Sequence, residues 1–182
     1  MNEENRNHYL LKKIAVGELS AIEEIYSSCA DIMIRYGKKI TCDTQLVEDT
    51  IHDIFLDLIK NRKEISSVNN LQAYLLRATR NNLLRKMKEQ KKMSSGLSAV
   101  DDCVFSYDID RSELDDEQNR IATLLSRLSG LEREIVYLRF FENLSNSRIC
   151  DVLSLKNQTV KNVVSSAMKK MRCFITYEQT VK

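Results

Sequence analysis

Residues Leu144 to Met171, LSNSRICDVLSLKNQTVKNVVSSAMKKM, decide how this chain is read. Val160, Val163, Val164, Ala167, Met168 and Met171 recur at i, i+3, i+4, i+7, i+8 and i+11, which is one face of an α-helix. The opposite face carries Gln158, Thr159, Lys161, Asn162, Ser165, Ser166 and Lys169, amides, hydroxyls and ammonium groups without a carboxylate. Such a face suits base edges and phosphates. Upstream, Ser145 is placed to cap a short helix whose Ile149, Val152 and Leu153 face the same core, and Ser154-Leu155-Lys156 supplies a turn before Asn157. Helix, short turn and longer polar-faced helix make a helix-turn-helix, although an ordinary helical hairpin has the same periodicity.

Composition widens this into a fold class. The 182 residues are 43% hydrophobic, enough for one domain or two small ones, and they include no proline and only four glycines. So little punctuation in a chain rich in Leu, Ile, Lys and Glu predicts an all-α protein. The five cysteines (Cys29, Cys42, Cys103, Cys150 and Cys173) are scattered, without the paired spacing of a disulfide framework or zinc site, and read as reduced thiols. No apolar run approaches the roughly 18 to 20 residues of a membrane span, and Met1 to His8 is unlike a signal peptide. The expectation is a cytoplasmic protein with no stable membrane insertion, no cofactor and no metal.

Charge divides the chain. Residues 1–93 carry 16 basic and 13 acidic groups, residues 94–120 carry 2 and 8, and residues 121–182 carry 10 and 5, for nets of +3, −6 and +5. Two basic ends around an acidic middle suggest two modules that meet polyanions, joined by a segment that avoids them. The expected boundaries are 1–93, a linker over 94–117 and 118–182. Within the linker, Val104, Phe105 and Tyr107 are the sizeable apolar residues, placed either to dock on a partner or to pack locally.

Helical patterns precede the linker over Tyr9–Ala15, Ser20–Lys39, Thr44–Lys60 and Leu71–Lys92, with His8 in an irregular start. In the third, Val47, Ile51, Ile54, Phe55, Leu58 and Ile59 face inward, leaving Glu48, Asp49, His52, Asp53 and Asp57 on a mostly acidic outer face. In the fourth, Leu71, Tyr74, Leu75, Ala78, Leu84 and Met87 suggest the buried side. Its Arg77, Arg80, Arg85, Lys86, Lys88, Lys91 and Lys92 are seven cations against one Glu89, a self-repelling run that a nucleic acid backbone relieves. After the linker, Glu117–Leu128 and Leu131–Phe141 read as two more helices, completing a second four-helix module.

Two stretches carry a resemblance to a known family. Val47-Glu48-Asp49-Thr50-Ile51-His52-Asp53-Ile54-Phe55-Leu56, followed by Leu71-Gln72-Ala73-Tyr74-Leu75-Leu76-Arg77-Ala78-Thr79-Arg80-Asn81, is one. The other runs from Leu125 through Arg133 to Arg172, including Asn143-Leu144-Ser145, Ile149 and Thr159-Val160-Lys161. In order, spacing and acidic linker the chain resembles bacterial RNA polymerase sigma factors of the extracytoplasmic-function (ECF) type.

The resemblance implies that the first module grips core RNA polymerase and opens the −10 promoter element, while the second reads the −35 element as duplex. Asp49, His52, Asp53 and Phe55 then belong to the polymerase-facing helix, with Phe55 also packing. The loop from Asn61 to Asn70, with Arg62, Lys63 and Asn69, corresponds to the one that captures a flipped base. Arg77, Arg80, Asn81, Arg85 and Lys88 line the path of the single strand. Arg148, Gln158, Thr159, Lys161, Asn162, Ser165, Ser166 and Lys169 face the −35 duplex. The implied partners are core polymerase, promoter DNA and an anti-sigma factor.

Four positions depart from the family pattern: His52 stands for the usual Gln, Ser129 for Pro, Ser154 for the turn Gly and Arg148 for a Glu. That Glu would complete a capping box with Ser145, so Arg148 loses a reciprocal bond and could contact a phosphate instead. A stand-alone helix-turn-helix regulator is the competing reading, and a nucleotide-modifying enzyme with a DNA-binding tail is a third. A dimerisation bundle has no reason to combine an acidic helix with a basic one, and the chain has no phosphate-cradling Gly-rich loop or convincing metal site.

Overall fold

The computed structural model of the protein describes residues 3–65, 68–95, 105 and 116–180. Two compact units divide the chain, Met1–Ala99 and Val100–Lys182. Most of the expected linker, residues 96–104 and 106–115, lies outside the described residues.

Helices α1 (Glu3–Ala15), α2 (Leu19–Ile40), α3 (Thr44–Lys60), α4 (Arg62–Ile65) and α5 (Leu71–Ser95) build the first unit. α1 begins before the expected Tyr9 and takes in His8, so the start is helical and not irregular; Arg6 Nε donates to Glu24 Oε1 of α2 at 2.8 Å. Leu10, Leu11 and Ile14 are buried along α1. The turn into α2 needs Gly17, whose φ of 92° is a conformation side chains resist. α3 starts on Asp43, whose carboxylate accepts from the Leu46 N–H at 2.9 Å.

The core forms where α2, α3 and α5 meet. Val47, Ile51, Ile54, Phe55 and Leu58 are buried along α3 in the expected stripe, and Ile25, Met33, Tyr36 and Ile40 along α2. Gly37 of α2 brings the two backbones close, since a Cβ there would stand 2.6 Å from Val47 Cγ1. On α5 the buried face is rotated from the expected one: Leu71, Leu75, Leu76, Thr79 and Leu83 are buried, whereas Tyr74 is 39% exposed. Neighbours on both α2 and α3 select that face, and the wide spread of apolar residues along α5 left its orientation open.

The second unit comprises α6 (Asp116–Ser126), α7 (Gly130–Val136), a π-helical turn (Tyr137–Phe141), α8 (Asn146–Leu153) and α9 (Asn157–Thr180). The expected helix Leu131–Phe141 thus begins at Gly130 and changes winding at Tyr137. Ser129, in place of the family's Pro, makes a full capping box with Glu132. Ser145 caps α8, its Oγ accepting from the Arg148 N–H at 3.3 Å. Ser154, in place of the turn Gly, adopts the left-handed conformation with φ 56° and ψ 40°.

Leu125, Leu128, Val136 and Ala167 form a core cluster against which Met171 packs. Ile149, Val152 and Val160 are buried between the arms of the helix-turn-helix. Phe105 settles the linker alternative for its own side chain: it is fully buried, its ring 5.5 Å from that of Tyr137.

Candidate DNA and polymerase interfaces

Four surfaces carry the chemistry, two on each unit. On α9 the residues Gln158, Asn162, Ser165 and Lys169 recur at i, i+4, i+7 and i+11 and are all exposed, with Lys161 beside them. Gln158 Nε2 donates to Asn162 Oδ1 at 2.8 Å, so two amides with complementary ends lie one turn apart on this row. Thr159 is exposed as well. Ser166 differs: its hydroxyl is turned to α7, where it donates to Glu132 Oε1 at 3.1 Å. Arg148 on α8 is half-buried and engaged within the protein.

Glu132 is the electrostatic centre of this unit. Burial pushes its pKa up, but Lys170, the Ser129 N–H and the Ser166 hydroxyl outweigh burial and hold it below the ordinary glutamate value. Cys150 on α8 moves the other way, its thiol pKa raised by burial and then by the Asp151 carboxylate, which leaves it less nucleophilic.

The first unit presents a basic ridge. Arg77, Asn81, Arg85 and Lys88, at i, i+4, i+8 and i+11 on α5, are exposed along one line. Arg85 reaches Asn82 Oδ1 at 3.0 Å and Glu89 Oε1 at 3.3 Å, while Arg80 is half-buried and engaged within the protein. Tyr74 stands one turn before Arg77 at the head of the ridge, an exposed aromatic that apolar periodicity had assigned to the core.

Between α3 and α5, residues 66 and 67 of the expected loop lie outside the described residues, and several of the others are engaged within the protein. Asn61 ends α3, its N–H donating to Asp57 O at 2.8 Å. Arg62 opens α4 with its guanidinium over Gly17, 3.0 Å from where a Cβ would stand. Lys63 lies within α4, and Ile65 is buried. Asn69 is exposed. Asn70 is engaged, since its Oδ1 caps α5 by accepting from the Ala73 N–H at 2.9 Å.

In the same unit α2 and α3 form a mostly apolar groove of about 370 Å³, with Ile22, Glu23, Tyr26, His52, Phe55 and Leu56 among its lining residues. Phe55 is its floor, only 6% exposed and edge-on to Tyr26 at 4.9 Å between ring centroids, whereas His52 stands exposed at the rim. Asp49 is exposed and accepts from Gln45 at 2.9 Å. Asp53 is held by Lys86 of α5 at 2.7 Å, which depresses its pKa. Lys86 therefore leaves the basic run and faces α3.

A second apolar groove, of about 290 Å³, lies on the other unit between α6, the π turn and the C-terminal half of α9, with Ile121, Leu124, Phe140, Phe141, Met171 and Ile175 among its lining residues. Nothing in the periodicity signals it, because Phe140 and Phe141 are adjacent, lie in the π turn and are both exposed. Among the described residues no group of three His, Cys, Asp or Glu is placed to hold a metal ion, and no helix is long and apolar enough to cross a membrane.

Comparison with known proteins assigns both units. Residues 25–93 match Sigma-70 region 2 and residues 118–171 match Sigma-70 region 4. The ECF RNA polymerase sigma factor SigK of Mycolicibacterium vanbaalenii is 22% identical over 169 residues, spanning 90% of this chain and 86% of that protein. The chain belongs to the ECF family of sigma factors. SigK of Mycobacterium tuberculosis is likewise 22% identical, with 90% of each chain covered. In fold, the sigma factor is similar to CnrH, solved with the cytosolic domain of CnrY, at a TM-score of 0.67 and 16% identity over 94% of this chain and 98% of that one. It is also similar to RpoE of Bartonella quintana, solved with the anti-sigma factor NepR, at 0.61 and 16% over 85% and 96%.

The chain is thus a promoter-recognising sigma factor, and sigma factors are non-enzymatic initiation factors. A match that takes in both region 2 and region 4 disfavours the stand-alone regulator.

Proposed function

We propose that the four surfaces divide the work of promoter recognition and opening. The groove of α2 and α3, with Glu23 and His52 in its lining, and the exposed Asp49 and Asp53 elsewhere on α3 take an apolar-and-basic surface of core RNA polymerase. The α5 ridge of Arg77, Asn81, Arg85 and Lys88 tracks the non-template strand of the −10 element, with a base captured near Asn61 to Asn70. Tyr74 offers that strand a stacking face. The exposed row Gln158, Asn162, Ser165 and Lys169, with Lys161, reads the −35 duplex.

The observation that carries this reading is the sorting of charge within one unit. An apolar groove with Glu23 in its lining, beside a helix that exposes Asp49 and Asp53, suits a protein surface and repels DNA, while the ridge on α5 attracts a phosphate backbone. Ser166 and Lys86 are left out of direct DNA contact because each is bonded to a carboxylate on another helix, and Asn70 because it caps α5. The apolar groove of the second unit fits a helix with an apolar face, of polymerase or of an anti-sigma factor; CnrH and RpoE were each solved with a protein partner. Action as a specificity subunit without covalent chemistry, in the cytoplasm, completes the proposal.

Pull-down of bacterial core polymerase, followed by run-off transcription from promoters selected out of a random library, tests it. Core binding with promoter-dependent transcripts is expected, and duplex binding without core binding would overturn it. Asp49→Lys and Asp53→Lys should weaken core binding, with Asp53→Lys alone also lowering the melting temperature through loss of Lys86.

A further inference from the structure

The side chains that seat α9 are mostly small. Val160 and Ala167 are fully buried and Val163, Val164, Met168 and Met171 are half-buried. Apolar contact seats the helix but is non-directional and fixes no polar group at a particular angle. What is directional is one carboxylate. Glu132 of α7 is 7% exposed. Its Oε2 accepts from the Ser129 N–H at 2.9 Å, which ties it to the start of α7. Its remaining capacity goes to α9, where Ser166 Oγ donates at 3.1 Å and Lys170 Nζ lies 2.8 Å away.

We propose that Glu132 is the positioning residue that fixes the rotation of α9 and so decides which of its side chains meet the −35 base edges. Ser166 and Lys170 lie one helical turn apart, so two bonds to a single carboxylate hold the helix in angle as well as in place. The angular tolerance of base reading is small. Side chains end roughly 5 to 6 Å from a helix axis, so a turn of about 20° moves their tips by about 2 Å. That displacement breaks a hydrogen bond to a base edge. Glu132 also withholds a cation, because Lys170, paired to it, is removed from the pool that meets phosphates.

The inference rests on the assignment of α9 as the −35 reader, and the experiment separates the two. Holoenzyme carrying Glu132→Gln is tested against promoters randomised at −35 and over a range of salt concentrations. Glutamine also serves at this position of a capping box, so the start of α7 is kept while the charge that holds Lys170 is lost. Discrimination among −35 sequences is expected to fall about tenfold. The slope of log affinity against log salt should steepen by about 0.9, the signature of one new phosphate contact by the freed Lys170. Lys170→Gln should lose discrimination without steepening the slope, and the double variant should restore the slope and not the discrimination.

A residue with only a stabilising role would not raise salt-dependent affinity. Unchanged discrimination in both single variants, with −35 preference lost in Lys161→Ala/Asn162→Ala/Ser165→Ala, overturns the positioning role alone. Unchanged preference in that triple variant overturns the −35 assignment itself.

Discussion

Replacing Gly37 by alanine places a methyl group against the face of α3. Its Cβ would lie 2.6 Å from Val47 Cγ1, 3.2 Å from Val47 Cγ2 and 3.4 Å from Leu83 Cδ1. Carbon atoms rest about 3.5 to 4.0 Å apart, so α2 and α3 must separate by about 1 Å. Val47 and Leu83 are both fully buried and have nowhere to swing. Overpacking of this kind costs about 2 kcal/mol at the middle of its range, and the better helix propensity of alanine returns about 1 kcal/mol, leaving a net loss of about 1 kcal/mol.

Val47→Ala alone costs about 2 kcal/mol through lost burial and a cavity. The double variant removes the clash and fills the cavity, so its cost should fall at least about 1 kcal/mol below the sum of the singles. Urea unfolding, combined with amide hydrogen exchange along α2 and α3 to isolate the first unit, measures all three. The same separation spreads Ile22 and Tyr26 away from His52 and Phe55, so core polymerase binding should weaken in Gly37→Ala and recover in part in the double variant. Additive costs, or a Gly37→Ala variant as stable as the parent, would refute the close-packing argument.

Thr50 is fully buried with its Oγ1 lacking a hydrogen-bond partner, so Thr50→Val should raise stability by about 1 kcal/mol, readable in urea unfolding. Ser154→Gly should stabilise the second unit by about 0.5 to 1 kcal/mol, because a side chain in the left-handed region costs about 1 to 2 kcal/mol and glycine forfeits part of that gain in chain entropy; thermal melting checks it. The depressed pKa of Glu132 means that its ionised form contributes stability above the ordinary value of 4.5 and loses it as the pH falls through the lower folded value. The stability of the second unit should therefore fall with acidification below pH 4.5, and that fall should flatten in Glu132→Gln.

Periodicity carried the reading furthest where one partner buries one stripe. The α9 stripe, the α3 stripe and the cap at Ser145 are local features whose signal lies within a turn or two of the residue concerned. Tyr74 misled because α5 packs against two helices, and the tyrosine's apolar character says nothing about which side they occupy. The Glu132 clamp was invisible for a different reason. Its partners Ser166 and Lys170 lie 34 and 38 residues away, and each alone reads as an ordinary polar residue on a solvated face. Phe105 stood among acidic residues where no repeat could mark it as buried.

The π turn from Tyr137 to Phe141 is a matter of phase as well as of surface. It holds one residue more than an α-helical turn would over the same hydrogen-bonded span. Five residues at the slower advance of a π turn sweep nearly the same angle as four α-helical residues at about 100° each, so the surplus residue is absorbed inside the turn and the chain leaves for Leu144 and α8 almost in phase. Deleting Phe140 would close the turn to α winding, keep the exit direction and remove one of the two exposed rings that line the groove. The helix-turn-helix would keep both its fold and its aim, so one surplus residue adds an aromatic face to this unit without redirecting the reading head.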